Sequence, residues 1–254
     1  MKKNKLIMAN WKMGLSVFDA KRLATELATE LAHEQEGKKI AVCPSFLSFS
    51  GVSEALKGSA VALGAQNAFW EDSGAYTGEV SPLFLREFGC EFVIVGHSER
   101  RKYLMETNEM VHKKTRSVLQ NGMTPVVCVG ETWEERSEGR RDYILISQTT
   151  AAFEGIRIRS GEKAVVAYEP VWAISTGKGI SADPEEAEYA IQVIRHVLLD
   201  LFDSEIVKSS VQILYGGSVN SENVSDFAKI SDGVLVGSAS QDKDSFLSLI
   251  KSIS

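Results

Sequence analysis

At 254 residues, 44% hydrophobic and 24% charged, the chain has an ordinary globular balance and enough length to bury a core without disulfide staples. Its net charge is −6 and no run of Lys or Arg is long enough for a nucleic-acid surface, so an anionic ligand would have to be held by a few side chains and helix N-termini. The cysteines Cys43, Cys90 and Cys128 are scattered, odd in number and not spaced as metal ligands, which points to a reducing, cytoplasmic setting. The apolar run before Asn10 is too short for a signal-peptide core, and no stretch approaches the ~20 apolar residues of a membrane span.

Along the chain one pattern recurs: a short apolar run, a polar or glycine-containing loop, then a helical segment. The runs are Leu6–Ala9, Ile40–Cys43, Val61–Ala65, Phe92–Val95, Pro125–Val129, Ala164–Tyr168, Val211–Leu214 and Val234–Val236. A continuous rather than alternating apolar run is what a parallel strand covered on both faces requires. Between the runs, Ser16 with Asp19 resembles a capping box ahead of the Leu23, Leu27 and Leu31 stripe. Ser81-Pro82 places proline at a first helical position, and that helix should stop near Gly89. Thr107 opens a segment ending at Asn121-Gly122, and Ser181-Ala-Asp-Pro-Glu-Glu opens a long amphipathic stretch to Phe202 with acids in its first turn. No linker divides the chain, so one domain over residues 1–254 is expected. Eight strands alternating with helices fit either a closed barrel or an open doubly wound sheet. Strand count and length favour a single α/β fold, the (β/α)8 barrel with its parallel eight-stranded closed sheet, which needs about 250 residues.

In such a barrel the chemistry gathers where strands end. Glu169 follows a buried run and precedes the apolar, stiff Pro170-Val-Trp172, so its carboxylate is expected under an apolar cover that raises its pKa and makes it a stronger base. His97 alone among the histidines stands at a strand end, whereas His33, His112 and His196 fall in helical patterns. A short helical turn over 98–103 should start right after His97 and disfavour its imidazolium, leaving a neutral donor. Lys12 supplies a cation and Asn10 an amide N–H, together an electrophilic corner for a developing oxyanion. Gly216-Gly-Ser218 with Val219 and Asn220, and Gly237-Ser238, are small-residue turns after strands 7 and 8, where barrels commonly bind phosphate. The segment from Pro170 to Lys178 reads as a lid that would exclude water from a reactive intermediate.

With these residues assembled, the sequence resembles the triosephosphate isomerase family over essentially its whole length. The matching stretches are Ala9-Asn-Trp-Lys-Met13, Gly64-Ala-Gln-Asn67, Thr77-Gly-Glu-Val-Ser81, Val95-Gly-His-Ser-Glu-Arg-Arg101, Ala167-Tyr-Glu-Pro-Val-Trp-Ala173, Tyr215-Gly-Gly-Ser-Val219 and Asp232-Gly-Val-Leu-Val-Gly237. The resemblance implies a TIM barrel that interconverts dihydroxyacetone phosphate and D-glyceraldehyde 3-phosphate, a step of glycolysis and gluconeogenesis, with no metal or organic cofactor. It implies Glu169 as the base and Lys12, Asn10 and His97 as electrophiles. Phosphate binding would fall to Ser175, Ser218, Gly237 and Ser238, with Glu99, Thr77 and Gly217 in support. The family is itself a standard example of a neutral histidine electrophile and a closing loop, so those two roles come with the resemblance. It also implies a homodimer in which the 66–81 loop reaches into the partner and Thr77 supports the neighbouring site.

Two residues depart from the family pattern. Ser175 and Ser238 stand where glycine is usual; each keeps its backbone N–H but adds a side chain and resists positive φ. Two rival readings remain: a Schiff-base aldolase using Lys12, and a catalytically silent barrel that serves as a scaffold.

Overall fold

The computed structural model describes residues 4–32, 36–174 and 182–253. Of the residues singled out in the sequence, His33, Ser175, Lys178 and Ser181 lie outside these. The strands are β1 (Lys5–Asn10), β2 (Lys38–Cys43), β3 (Ala62–Ala65), β4 (Cys90–Val95), β5 (Thr124–Val129), β6 (Ala164–Tyr168), β7 (Val211–Tyr215) and β8 (Gly233–Val236). Each pairs in parallel with the next, and β8 returns to β1 with Leu6 opposite Gly233, which closes the barrel. The open-sheet alternative is thereby excluded.

Both faces of each strand are buried, which is why the runs do not alternate. Leu6, Met8, Cys43, Ile94, Cys128 and Leu214 belong to an inner cluster. Their chain neighbours Ile7, Ala9, Val42, Val93, Val127 and Ile213 join the larger cluster shared with the helices. All three cysteines are buried and free. Burial pushes the Cys90 thiol up to about 12 and holds Cys43 and Cys128 well above the ordinary thiol value, so they pack as small core residues.

The helices are α1 (Val17–Glu30), α2 (Phe49–Leu56), α3 (Pro82–Glu87), α4 (Ser98–Leu104), α5 (Asn108–Gln120), α6 (Trp133–Ser137), α7 (Arg141–Phe153), α8 (Pro184–Leu201), α9 (Ser204–Ser210), α10 (Val224–Ile230) and α11 (Lys243–Ser252). Their starts follow the capping chemistry. The hydroxyls of Ser16, Ser81 and Thr107 accept the N–H groups of Asp19, Phe84 and Met110. In the 181–186 stretch the cap is Asp183, which accepts from Glu185 N–H, with Pro184 at the first helical position. Among the described residues, no helix is long and apolar enough to cross a membrane.

One buried polar knot fixes the loop after β4. Glu106 is 4% exposed, and its carboxylate accepts from Gly96 N–H at 2.9 Å, Lys114 Nζ at 2.7 Å and Arg100 Nε. Burial alone would raise this carboxyl, but the charges and hydrogen bonds of Lys114 and Arg100 outweigh it and hold its pKa below the ordinary value. The stability it lends is therefore present above its unfolded value and is lost as pH falls through the lowered folded one. Lys114→Met leaves Arg100 as the remaining cation and is expected to cost about 3 kcal/mol, the low end for breaking a buried pair. Urea unfolding at fixed protein concentration measures this; a loss under 1 kcal/mol would mean that the knot is slack.

Candidate active site

Three strands, β1, β4 and β6, deliver the central side chains. β6 carries Glu169 out at its carboxyl end, where its N–H donates to Val129 O at 2.8 Å and Gly216 N–H donates to Tyr168 O at 2.7 Å. The backbone around Glu169 is thus held between the exits of β5 and β7. Gly130 has to be glycine here, because an added Cβ would lie 1.7 Å from the Glu169 carbonyl oxygen.

Glu169 is 2% exposed. Its Oε1 lies 3.0 Å from His97 Nε2, and its Oε2 accepts the Ser98 N–H at 2.9 Å. Burial alone would raise the carboxyl, but the His97 ring, Ser98 N–H and Lys12 together hold its pKa below the ordinary value. This corrects the expectation of a raised carboxyl: the carboxylate is buried, but in this arrangement the partners prevail.

His97 is the N-cap of α4, and its Nδ1 accepts the Glu99 N–H at 3.2 Å. An accepting Nδ1 carries no proton, so the ring's proton sits on Nε2, facing Glu169. Burial works against an imidazolium, yet the charge and hydrogen bond of Glu169 outweigh it and raise the ring's pKa. The turn over 98–103 starts where the sequence placed it. The direction of the histidine's shift is the reverse of that expected, because a carboxylate 3.0 Å away acts more strongly than one short helix.

Lys12 extends its Nζ to Glu99 Oε1 at 2.6 Å, and its backbone adopts φ of 51°. A non-glycine residue in the left-handed region is strained and needs support. Asn10 Oδ1 accepts the Lys12 N–H at 3.1 Å, and Gln66 Nε2 donates to the Lys12 carbonyl at 2.8 Å. Among the described residues nothing accepts from Asn10 Nδ2, and Asn10 and Lys12 line the same cavity of about 60 Å³ as His97 and Glu169.

Across this cavity lie Gly217, Ser218, Gly237 and Ser238. The N–H groups of Gly217, Ser218 and Gly237 have no acceptor among the described residues, as an anion site requires. Ser218 spends its hydroxyl on Ala173 O at 2.7 Å. After β8 the small-residue turn leads into a single 3₁₀ turn, Ser238–Ser240. Ser238 is not at positive φ, so its side chain costs no backbone strain there. Ser175 lies outside the described residues. Glu99 stands behind Lys12 rather than in the cavity, and Thr77 sits in the exposed 71–79 part of the 66–81 segment, away from this chain's own cavity.

Sequence reasoning missed Glu131. It is 0% exposed, accepts from Trp172 Nε1 at 2.7 Å and from Tyr168 Oη at 3.2 Å, and its carbonyl accepts the Val171 N–H at 3.1 Å. Burial raises its pKa, which these donors offset only in part. It pins the Val171–Ala173 turn that leads away from Glu169. The available signal was its place just past β5, the one strand end between β4 and β8 from which no site residue was drawn. The role of Ser98 in holding Glu169 was missed as well.

Comparison with known proteins gives one result throughout. A family profile described as triosephosphate isomerase matches residues 5–253. The triosephosphate isomerase of Dictyoglomus thermophilum is 44% identical over 252 residues, 98% of this chain and 100% of that protein. Those of Carboxydothermus hydrogenoformans and Caldanaerobacter subterraneus are 44% and 42% identical over 247 residues, each 96% of this chain and 97% and 98% of theirs. With its closed parallel barrel and its paired carboxylate and imidazole at the strand ends, the chain belongs to the triosephosphate isomerase family.

Proposed function

We propose that this chain, as one barrel domain over residues 1–254, interconverts dihydroxyacetone phosphate and D-glyceraldehyde 3-phosphate through an enediolate. The observation that carries the reading is the 3.0 Å approach of His97 Nε2 to Glu169 Oε1 inside the cavity that Lys12 and the two glycine turns also line. Glu169 removes the proton from the carbon next to the carbonyl. His97 donates from Nε2 to the developing oxyanion and returns protons between the two oxygens, while Lys12 and Asn10 stabilise the same charge. The substrate phosphate takes the backbone N–H groups around Ser218, Gly237 and Ser238, with Ser175 completing the set and Gly217 shaping the turn. Glu99 holds Lys12 in place.

Substrate oxygens must take over His97 Nε2 before Glu169 can turn to carbon. Once the carboxylate has given up His97 and Ser98, burial is the main remaining influence and raises its basicity when the proton is taken. The Lys12 ion pair with Glu99 at 2.6 Å argues against the aldolase alternative, which needs a neutral amine. A coupled assay in both directions tests the reading: turnover is expected, with no borohydride-trapped lysine adduct. Absent turnover in a folded sample would overturn it.

The active form is a homodimer in the cytoplasm, with neither nucleic acid nor membrane as a partner. Large apolar side chains stand exposed beyond the carboxyl ends of three of the first four strands: Met13 (96%) after β1, Leu47 (87%) after β2, and Leu104 and Met105 after β4. The 66–81 segment is preformed as an arm, with Phe69 stacked on Trp70 at 4.0 Å and against Tyr76 at 4.6 Å. Thr77, near its tip, supports the partner's site. Leu47→Glu is expected to shift the dimer toward monomer in sedimentation velocity and to lower activity with it; an unchanged mass would place the interface elsewhere.

A further inference from the structure

At the amino-terminal end of the barrel, away from Glu169, a concavity of about 400 Å³ opens between the last turns of α5 and the 154–162 connection into β6. Arg116 comes from α5; Arg157 and Arg159 come from the connection. Among the described residues none of these three guanidinium groups makes an ion pair or a side-chain hydrogen bond. The other described arginines have partners, as Arg136 has Glu186, Arg100 has Glu106 and Arg101 has Asn108. Three unmatched arginines around one pocket stand out in a chain of net charge −6.

The one carboxylate in the lining is already in use. Glu162 Oε2 accepts the Arg159 N–H at 2.7 Å and so folds the connection. His112 ties the wall of α5 to α7, because its Nδ1 lies 3.1 Å from Ala151 O, a carbonyl that can only accept. The result is a fixed concavity with three planar donor forks at its rim, the geometry that matches phosphate oxygens in pairs. A single phosphate would use one or two such forks and little of the volume. A nucleic-acid strand would meet three cations and then the field of an acidic protein.

We propose that this pocket binds a compact polyanion, a chain of two or three phosphate groups either free or carried on a small metabolite. The site is independent of the isomerase chemistry at the other end of the barrel. The test is titration calorimetry of the full chain at low salt with inorganic tripolyphosphate, ATP and orthophosphate. Tripolyphosphate is expected to bind one site per chain, to bind equally well to a Lys12→Met protein whose isomerase site is impaired, and to weaken as salt is added. The triple variant Arg116→Gln, Arg157→Gln, Arg159→Gln should bind it at least about tenfold more weakly, because each charge-assisted contact is lost. Its turnover should match wild type, which also reports that it folds. ATP binding as tightly as tripolyphosphate assigns the site to a nucleotide; weaker binding assigns it to the free chain. The proposal is overturned if tripolyphosphate does not bind, if orthophosphate binds as tightly, if the triple variant binds normally, or if Lys12→Met abolishes binding.

Discussion

Glu169→Asp is expected to lower kcat by about 10²-fold or more while KM stays within a few fold, because withdrawing the carboxylate by one methylene misplaces it by about 1 Å from the carbon it must reach. The surroundings cannot compensate. The backbone of Glu169 is held by Val129 O and pressed against Gly130, so it cannot advance to make up the lost length. The shorter side chain also loses reach to Ser98 N–H and His97 Nε2, so the base is both less well aimed and less well held. Steady-state kinetics by the coupled assay measures this, and a loss below tenfold would remove Glu169 from the role of base.

Lys12→Met is the second large effect. Among the described residues Lys12 is the one Lys or Arg that lines the cavity, so in the proposed mechanism its removal takes away a stabiliser of the enediolate and a binding charge for a dianionic substrate. Loss of one such contact typically costs about 10²–10³ in kcat, and KM should rise as well because the ground state is also anionic. Stability should change little. The Lys12–Glu99 pair is partly exposed, at 19% and 30%, where an ion pair contributes about 1 kcal/mol or less. Loss of activity with retained folding separates a site cation from a structural one. Near-normal kcat/KM in Lys12→Met would show that the cation is dispensable.

Much of this was legible in the sequence, for physical reasons. A parallel strand buried on both faces must be apolar at consecutive positions, so eight runs such as Val234–Val236 announced themselves. The caps at Ser16, Ser81 and Thr107 follow from local hydrogen bonding that needs no tertiary information. Glu169, His97, Lys12 and Asn10 stood out because strand ends are few and their chemistry is distinctive. What the sequence hid depends on contacts between distant positions. Ser98 N–H meets Glu169 across 71 residues of chain, and this pairing, with His97, reverses the shift that burial alone would give. Glu131 is a plain loop acid in sequence and becomes an anchor only when Trp172 and Tyr168 fold onto it. Likewise the left-handed Lys12 is set by its supports, Asn10 and Gln66, and not by any propensity of lysine.

In the proposed mechanism a proton on carbon passes through Glu169. Conversion of dihydroxyacetone phosphate in D2O, followed by NMR of the product, tests it most directly. Wild-type product should carry solvent deuterium at the carbon beside the carbonyl, since a carboxylic acid formed by abstraction can exchange with solvent before it returns its proton. Glu169→Gln, with a side chain of the same shape and no basicity, should lose both turnover and deuterium incorporation. Product formed without deuterium, or incorporation undiminished in Glu169→Gln, would contradict the mechanism.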